Sequence, residues 1–414
     1  MISKNGGYFV FNLVVNFSLK IGYTYNILIR LGGITMSNML DYLKWRGDLS
    51  FSQDPFNEVD NLIFSILCYN DFTGIVPSLG EGGSVSLYDA AIIFRETKDN
   101  DAITELPFLR EVPNLLEQAS KTERFKNIML SNYIDIIDAE STKQFSATVF
   151  KITDELHIIS YRGTDDSLIG WKEDLQMSFL DEVQSQKAAV EYTEKVMANL
   201  DSRFIFVGHS KGGNLGVYSA AFIDEKFNPR ILAIYNNDGP GFQPKIINSE
   251  GYNNILSKIN TFLPESSIIG MLLEHGGEYE VVKSSGLAIF QHNPFSWELE
   301  GKSFIRKDGL TKESSNINKT IRAWVTQLSH EERSIFVESL FEILQKSGAE
   351  TITELNNEKL IMAQAMIKAY GKMNKDTKEH LKNTIELFFQ EGRKVIKQSI
   401  SSDIEAFRNK NSKK

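Results

Sequence analysis

"RFIFVGHSKGGNLGVYSAAF", residues 203–222, decides how this chain is read. After Arg203, residues 204–207 form a short, continuous apolar run of the kind buried on both faces of a parallel sheet. Residues 214–222 read as a helix, and between the two lies Gly208-His209-Ser210-Lys211-Gly212, extended by Gly213. Neither a strand nor a helix gains from glycine there. A sharp strand-to-helix turn does gain, because it lifts one side-chain oxygen above the sheet, and residues two places away must lack a Cβ to clear the adjoining elements. G-x-S-x-G in this setting predicts a nucleophile elbow with Ser210 at its tip. His209 is adjacent, but successive residues at such a turn point apart. It is expected to pack or hydrogen-bond beside the serine.

A serine nucleophile needs a base from a distant loop, in the chain order Ser, acid, His. Four histidines follow Ser210: His275, His292, His330 and His380. The last two lie on amphipathic helices and read as surface residues. His275 precedes the strand "EYEVVKS" and so is expected far from the site. His292, in "SSGLAIFQHNPFSW", follows that strand on a loop with Pro294, and is the choice for the base. For the acid, "YNNDGPGF" puts Asp238 just past the strand after the nucleophile helix, in a tight turn. "FLPESS" puts Glu265 past the next strand, the more usual position. Asp238 is preferred and Glu265 is the alternative. Two amide donors must face the developing oxyanion. Lys211, after the nucleophile, supplies one; the strand ending in Arg162-Gly163-Thr164 offers Thr164 for the other.

The rest of the chain fits around this centre. "QFSATVFKI" (144–152) and "ELHIISYRG" (155–163) read as a hairpin, and residues 182–200 as a helix. "RILAIYNND", "KINTFLP" and "EYEVVKS" are further strands. Strands alternating with helices imply a mainly parallel α/β sheet covered by helices on both faces, with its site at the strands' carboxyl ends. Upstream, Asp54 and Pro55 are expected to open the helix containing Cys68. Residues 71–105 read as a mobile connection or lid-like insertion around one short helix. Beyond residue 310 the composition becomes helical: Ser329 and Glu332 form a capping box, a helix ends at Gly348, and "DTKEHLKNTIELFFQEGRKVIKQSI" carries an apolar stripe. The tail "RNKNSKK" reads as a solvated, frayed end. The expected organisation is residues 36–308 as the α/β domain and 309–414 as a helical appendage, with a family resemblance over about 125–300.

A net charge of −9 and a pI near 5.4 argue against nucleic acid as a partner. A single cysteine, Cys68, excludes an intrachain disulfide and thiolate metal clusters, and reads as a buried structural thiol. Residues 1–35 are apolar but interrupted by Lys20 and Arg30, too broken for a firm membrane span. They read as an upstream mis-start, with translation beginning at Met36, or else as a weak N-terminal anchor. A signal peptide ranks last, for want of a cleavage site, so the cytoplasm is the expected location.

The stretch "HIISYRGTDDSLIGWKEDL", followed by "GHSKGGNL", resembles the class-three, fungal-type triacylglycerol lipases. The resemblance implies an oxyanion hole from Thr164 and Lys211, with structural roles for Trp171 and Asp174. "YLKWRGDLSF", "NNDGPGF", "SSIIGMLLEH" and "QHNPFSW" are similar to an uncharacterised bacterial family of lipase-like α/β-hydrolases of unknown function. That likeness implies a start near "MSNMLDYLKWRGDLSF". Two departures from lipases stand out. Lys211 replaces the usual leucine, which would put charge where an acyl chain lies, and the lipase aspartate expected near "PESSIIG" is missing.

The residues therefore predict a soluble serine hydrolase of α/β-hydrolase fold acting on a small-molecule ester or lipid-like substrate. No metal or cofactor is called for. The alternatives are a non-catalytic scaffold whose appendage binds a protein partner, and a thioesterase, amidase or peptidase using the same groups.

Overall fold

Alternate residues of the strand Arg203–His209 face two different cores, and that division organises the chain. The computed structural model describes residues 37–98, 106–357 and 359–411. The expectations for residues 1–35, for a start at Met36 and for the last three residues of the tail lie outside them.

A nine-stranded sheet carries the fold. In chain order its strands are β1 (Val85–Ser86), β2 (Met129–Asp138), β3 (Lys143–Thr153), β4 (Leu156–Tyr161), β5 (Arg203–His209), β6 (Ile231–Asn237), β7 (Ile259–Pro264) and β8 (Glu280–Val282). A two-stranded ribbon, β9 (Leu299–Glu300) with β10 (Ser303–Phe304), then precedes the last sheet strand, β11 (Arg306–Lys307). Strands β1 to β4 run antiparallel, β4 to β8 are parallel, and β11 closes the edge antiparallel to β8. This is the α/β-hydrolase architecture expected from the sequence, with a helical C-terminal region.

The two faces follow from the period of two along a strand. Ile158, Ile205 and Val207 pack beneath the helices Glu58–Leu67 and Pro107–Ala119. Ile159, Tyr161, Phe204 and Phe206 pack against Gln184–Asn199 and Lys211–Phe222. A third core joins Leu168 and Phe179 to the C-terminal helices through Phe336, Phe341, Leu381 and Ile385.

Several expectations need correction. The helix containing Ile63 starts at Glu58 and is capped by Asn57, whose side chain accepts from the amides of Val59 and Asp60 while Asp60 accepts from the Asn57 amide. Asp54 is instead taken up by an ion pair with Lys302 at 2.6 Å, so it cannot cap. Residues 71–98 are no mobile connection: Phe72, Val76, Leu87 and Ala90 are buried in the first core. β2 was not legible. Its alternation breaks at a bulge between Ser131 and Ile134, where Asn132 adopts φ 52°. The last helix, Lys375–Asn411, continues through most of the tail read as frayed.

Candidate functional site

Ser210 sits between the last residue of β5 and the first of the helix Lys211–Phe222, with φ 58° and ψ −134°. A positive φ at a non-glycine residue costs roughly 1–3 kcal/mol and persists only where its surroundings impose it. Here the Ser210 amide donates to the Asn237 carbonyl at 2.9 Å, and its own carbonyl accepts from Gly213 at 3.0 Å. The Asn237 side chain also donates to the Gly208 carbonyl at 3.1 Å. The flanking glycines are there for clearance: a Cβ on Gly208 would overlap the Gly212 carbonyl, and one on Gly212 would overlap the Tyr161 carbonyl of β4. Sheet, helix and turn therefore close on one another only around hydrogen atoms.

Parallel strands deliver the remaining groups to the same edge. His292 comes from the short turn Ala288–His292 after β8, and its Nε2 lies 3.0 Å from Ser210 Oγ. Its Nδ1 lies 2.6 Å from Asp238 Oδ2. Asp238 follows β6 directly, is fully buried and has φ 52°. Its other oxygen accepts from the Ser267 hydroxyl and, at 3.2 Å, from the Gly270 amide. With a carboxylate on one side, Nδ1 carries the proton of the neutral ring, so the Nε2 lone pair faces the serine. Glu265 does not join this group. Its amide bonds to Val282 in β8, and its carboxylate pairs with Lys307 at 3.3 Å.

His209 supports the site from below. Its Nε2 faces the His292 carbonyl at 2.9 Å and must donate to it, so Nδ1 accepts from the Tyr69 hydroxyl at 3.3 Å. Burial, then the neighbouring His292, holds its pKa well below the ordinary imidazole value. The rings of His209 and His292 lie 4.6 Å apart. A neutral ring there leaves room for positive charge on His292. His275, expected far away, is a correction: its Nε2 donates to the Gly270 carbonyl, and the Gly270 amide holds Asp238. The long β7–β8 connection folds back to Asp238. His380 is also not a free surface residue, since its Nε2 donates to the Glu332 carbonyl at 2.9 Å.

The loop after β4 is anchored by charge. Arg162 forms a two-pronged pair with Asp135 of β2, both contacts 2.8 Å, and reaches Asp165 at 3.1 Å. The Thr164 hydroxyl donates to Asp174 at 2.6 Å. Among the described residues, backbone hydrogen bonds use neither the Thr164 amide nor the Lys211 amide, which starts a helix and has no acceptor within it. The Lys211 side chain does not point into an acyl site. It is buried, donates to Glu173 at 3.1 Å and lies 3.8 Å from Asp174. Glu173 in turn accepts from the amides of Gln144 and Ser185. Trp171 packs at the margin of the third core.

Sequence reasoning missed Tyr69, Asp135, Glu173, Asn237 and Ser267. The doubled asparagine in "YNND" was the one local signal, since a strand end with two amides needs a use for them. Among the described residues, no group of three or more His, Cys, Asp or Glu is placed to hold a metal ion. None of the described helices is long and apolar enough to cross a membrane.

The sequence model of a family described as Mbeg1-like matches residues 119–342, more than half of the chain. No curated protein matches. Among solved structures, that of M37 lipase is similar at 13% sequence identity, over 51% of this chain and 68% of that one, with a TM-score of 0.34.

Proposed function

The chain belongs to the Mbeg1-like family, and on that footing we propose that it is a serine hydrolase of carboxylic esters, lipid-like esters included. Ser210 Oγ attacks the ester carbonyl while His292 Nε2 takes its proton. Asp238 holds the ring in the required tautomer and stabilises the imidazolium. The amides of Thr164 and Lys211 receive the negative oxygen of the tetrahedral intermediate; losing one such donor costs about 3 kcal/mol of barrier. His292 then protonates the departing alcohol. Water, activated by the same imidazole, attacks the acyl-enzyme and releases the acid.

The observation that carries this reading is the unbroken contact from Ser210 through His292 to Asp238, at 3.0 and 2.6 Å, with the serine held at a strained φ of 58°. A buried structural histidine would not require strained backbone at its neighbour. The test is labelling with a fluorophosphonate probe. Wild-type protein is expected to label at one site, and Ser210→Ala to lose both the label and ester hydrolysis while keeping its fold. A folded wild type that takes no label would overturn the proposal in favour of a non-catalytic scaffold. Comparing ester, thioester and amide substrates then separates the chemistries that the same groups can serve.

A further inference from the structure

The loop that carries Thr164 continues into Asp165–Ser167, and this continuation is paired with a segment far along the chain. Ser167 forms an antiparallel bridge with Thr351. The Leu168 amide donates to the Glu350 carbonyl at 2.8 Å, and the Ile352 amide donates to the Asp166 carbonyl at 3.0 Å. The Thr353 amide donates to the Asp166 side chain at 3.3 Å. Behind the loop, Leu168 is buried in the third core, and Lys172 pairs with Glu338 at 2.7 Å. Residues 350–353 lie beyond the stretch that matches the family.

We infer that the backbone of Glu350–Thr353 is a strap that positions the Thr164 amide, so that the C-terminal helices belong to the machinery that stabilises the oxyanion. This rests on the proposed hydrolase reading. Arg162, paired with Asp135 of β2, fixes the loop on its sheet side, and Asp174, on the helix Leu168–Gln176, holds the Thr164 hydroxyl. A loop held on one side only pivots, and an amide must lie within about 3 Å of the place where charge develops to act on it. The strap supplies the second side through main-chain hydrogen bonds. Its side chains touch no reacting atom, which makes it a positioning element rather than a catalytic one.

Ile352 permits a clean test because it is the first residue of the helix Ile352–Asn357. Proline is tolerated at that position and demands an extended residue before it, which Thr351 already is in the bridge. Ile352→Pro therefore deletes the hydrogen bond to Asp166 while sparing the helix; Ile352→Val keeps the amide and serves as control. With an ester that wild type turns over, Ile352→Pro is expected to lower kcat by about 10- to 100-fold with KM within about twofold, a misplaced donor being worth up to that much. Ile352→Val should match wild type. Hydrogen exchange should show lost protection at the Leu168 amide in the proline variant alone. A folded Ile352→Pro with the kcat and Leu168 protection of Ile352→Val would overturn the strap.

Should the proline variant not fold, Asp166→Ala, which removes the side chain that accepts from the Thr353 amide, is read the same way: a fall in kcat of a few fold supports the strap, and no change sinks it. If wild type takes no fluorophosphonate label, the hydrolase reading has failed by itself. The strap then has no oxyanion donor to position and falls with that reading, whereas a labelled wild type with unchanged kcat in Ile352→Pro defeats the strap alone.

Discussion

Asp60 and Asp238 are both fully buried carboxylates, yet they do opposite things. Asp60 is closed off. Arg124 donates to it through Nε at 2.7 Å and through a second guanidinium nitrogen, Tyr42 donates at 3.0 Å, and the Asn57 amide at 2.9 Å. Burial raises its pKa against the pull of that arginine. Every contact ends inside the first core. Asp238 takes two donors on one oxygen and gives the other to His292, which leads outward to Ser210. Burial and ion pairing are common to both. What separates them is backbone strain at Ser210 and Asp238 and a route from the carboxylate towards solvent, where the His292 side chain is 20% exposed.

Substitution at each aspartate would break the comparison in different quantities. Asp238→Asn keeps the shape but presents the wrong tautomer of His292 to the serine. It is expected to lower kcat about 10⁴-fold, roughly 5.5 kcal/mol of barrier, with little change in stability. Glu265→Gln, whose partner is Lys307, should leave turnover near wild type. If the second variant is the crippled one, the acid has been misassigned. Asp60→Asn should do the reverse. It leaves Arg124 buried and uncompensated, at a cost of about 3–5 kcal/mol in stability read from the urea midpoint, with kcat per folded molecule unchanged.

Acid sharpens the contrast further, through buried histidines. Burial lowers the pKa of His157 to about 4, and that of His209 well below the ordinary value. Between about 6.5 and 4 the unfolded chain binds the proton that His157 refuses, so stability falls as pH falls, by about 1.4 kcal/mol per pH unit for each such histidine. Urea midpoints at pH 7 and 5 should show this loss, and His157→Gln should reduce the slope by one proton's worth. An unchanged slope would mean that His157 is protonated in the fold.

The site was legible in proportion to how local its geometry is. Ser210 could be read from five consecutive residues because the elbow's sterics act within one turn. His292 emerged by elimination among four histidines, because His275 precedes the last parallel strand and His330 and His380 lie on helices beyond residue 310, which leaves one on the loop after that strand. The acid stayed open between two residues, since both follow strands at their carboxyl ends; Lys307, from an edge strand, is what draws Glu265 away. Lys211 was misread because its charge, seen alone, suggests an exposed end. Glu173 neutralises it inside the protein.

From the sequence alone came the sheet with alternating helices, the sharp turn at Ser210 and the expectation that His292 faces it. These rest on periodicity, turn sterics and chain order, all of which act over short distances along the chain. Only the tertiary structure brought Asp238 rather than Glu265 to His292, turned His209 and Lys211 into buried supports, and tied residues 350–353 to the loop after Thr164. Those outcomes depend on which distant groups share one small volume and must satisfy each other's charge and hydrogen bonds, and pattern along the chain does not encode that sharing.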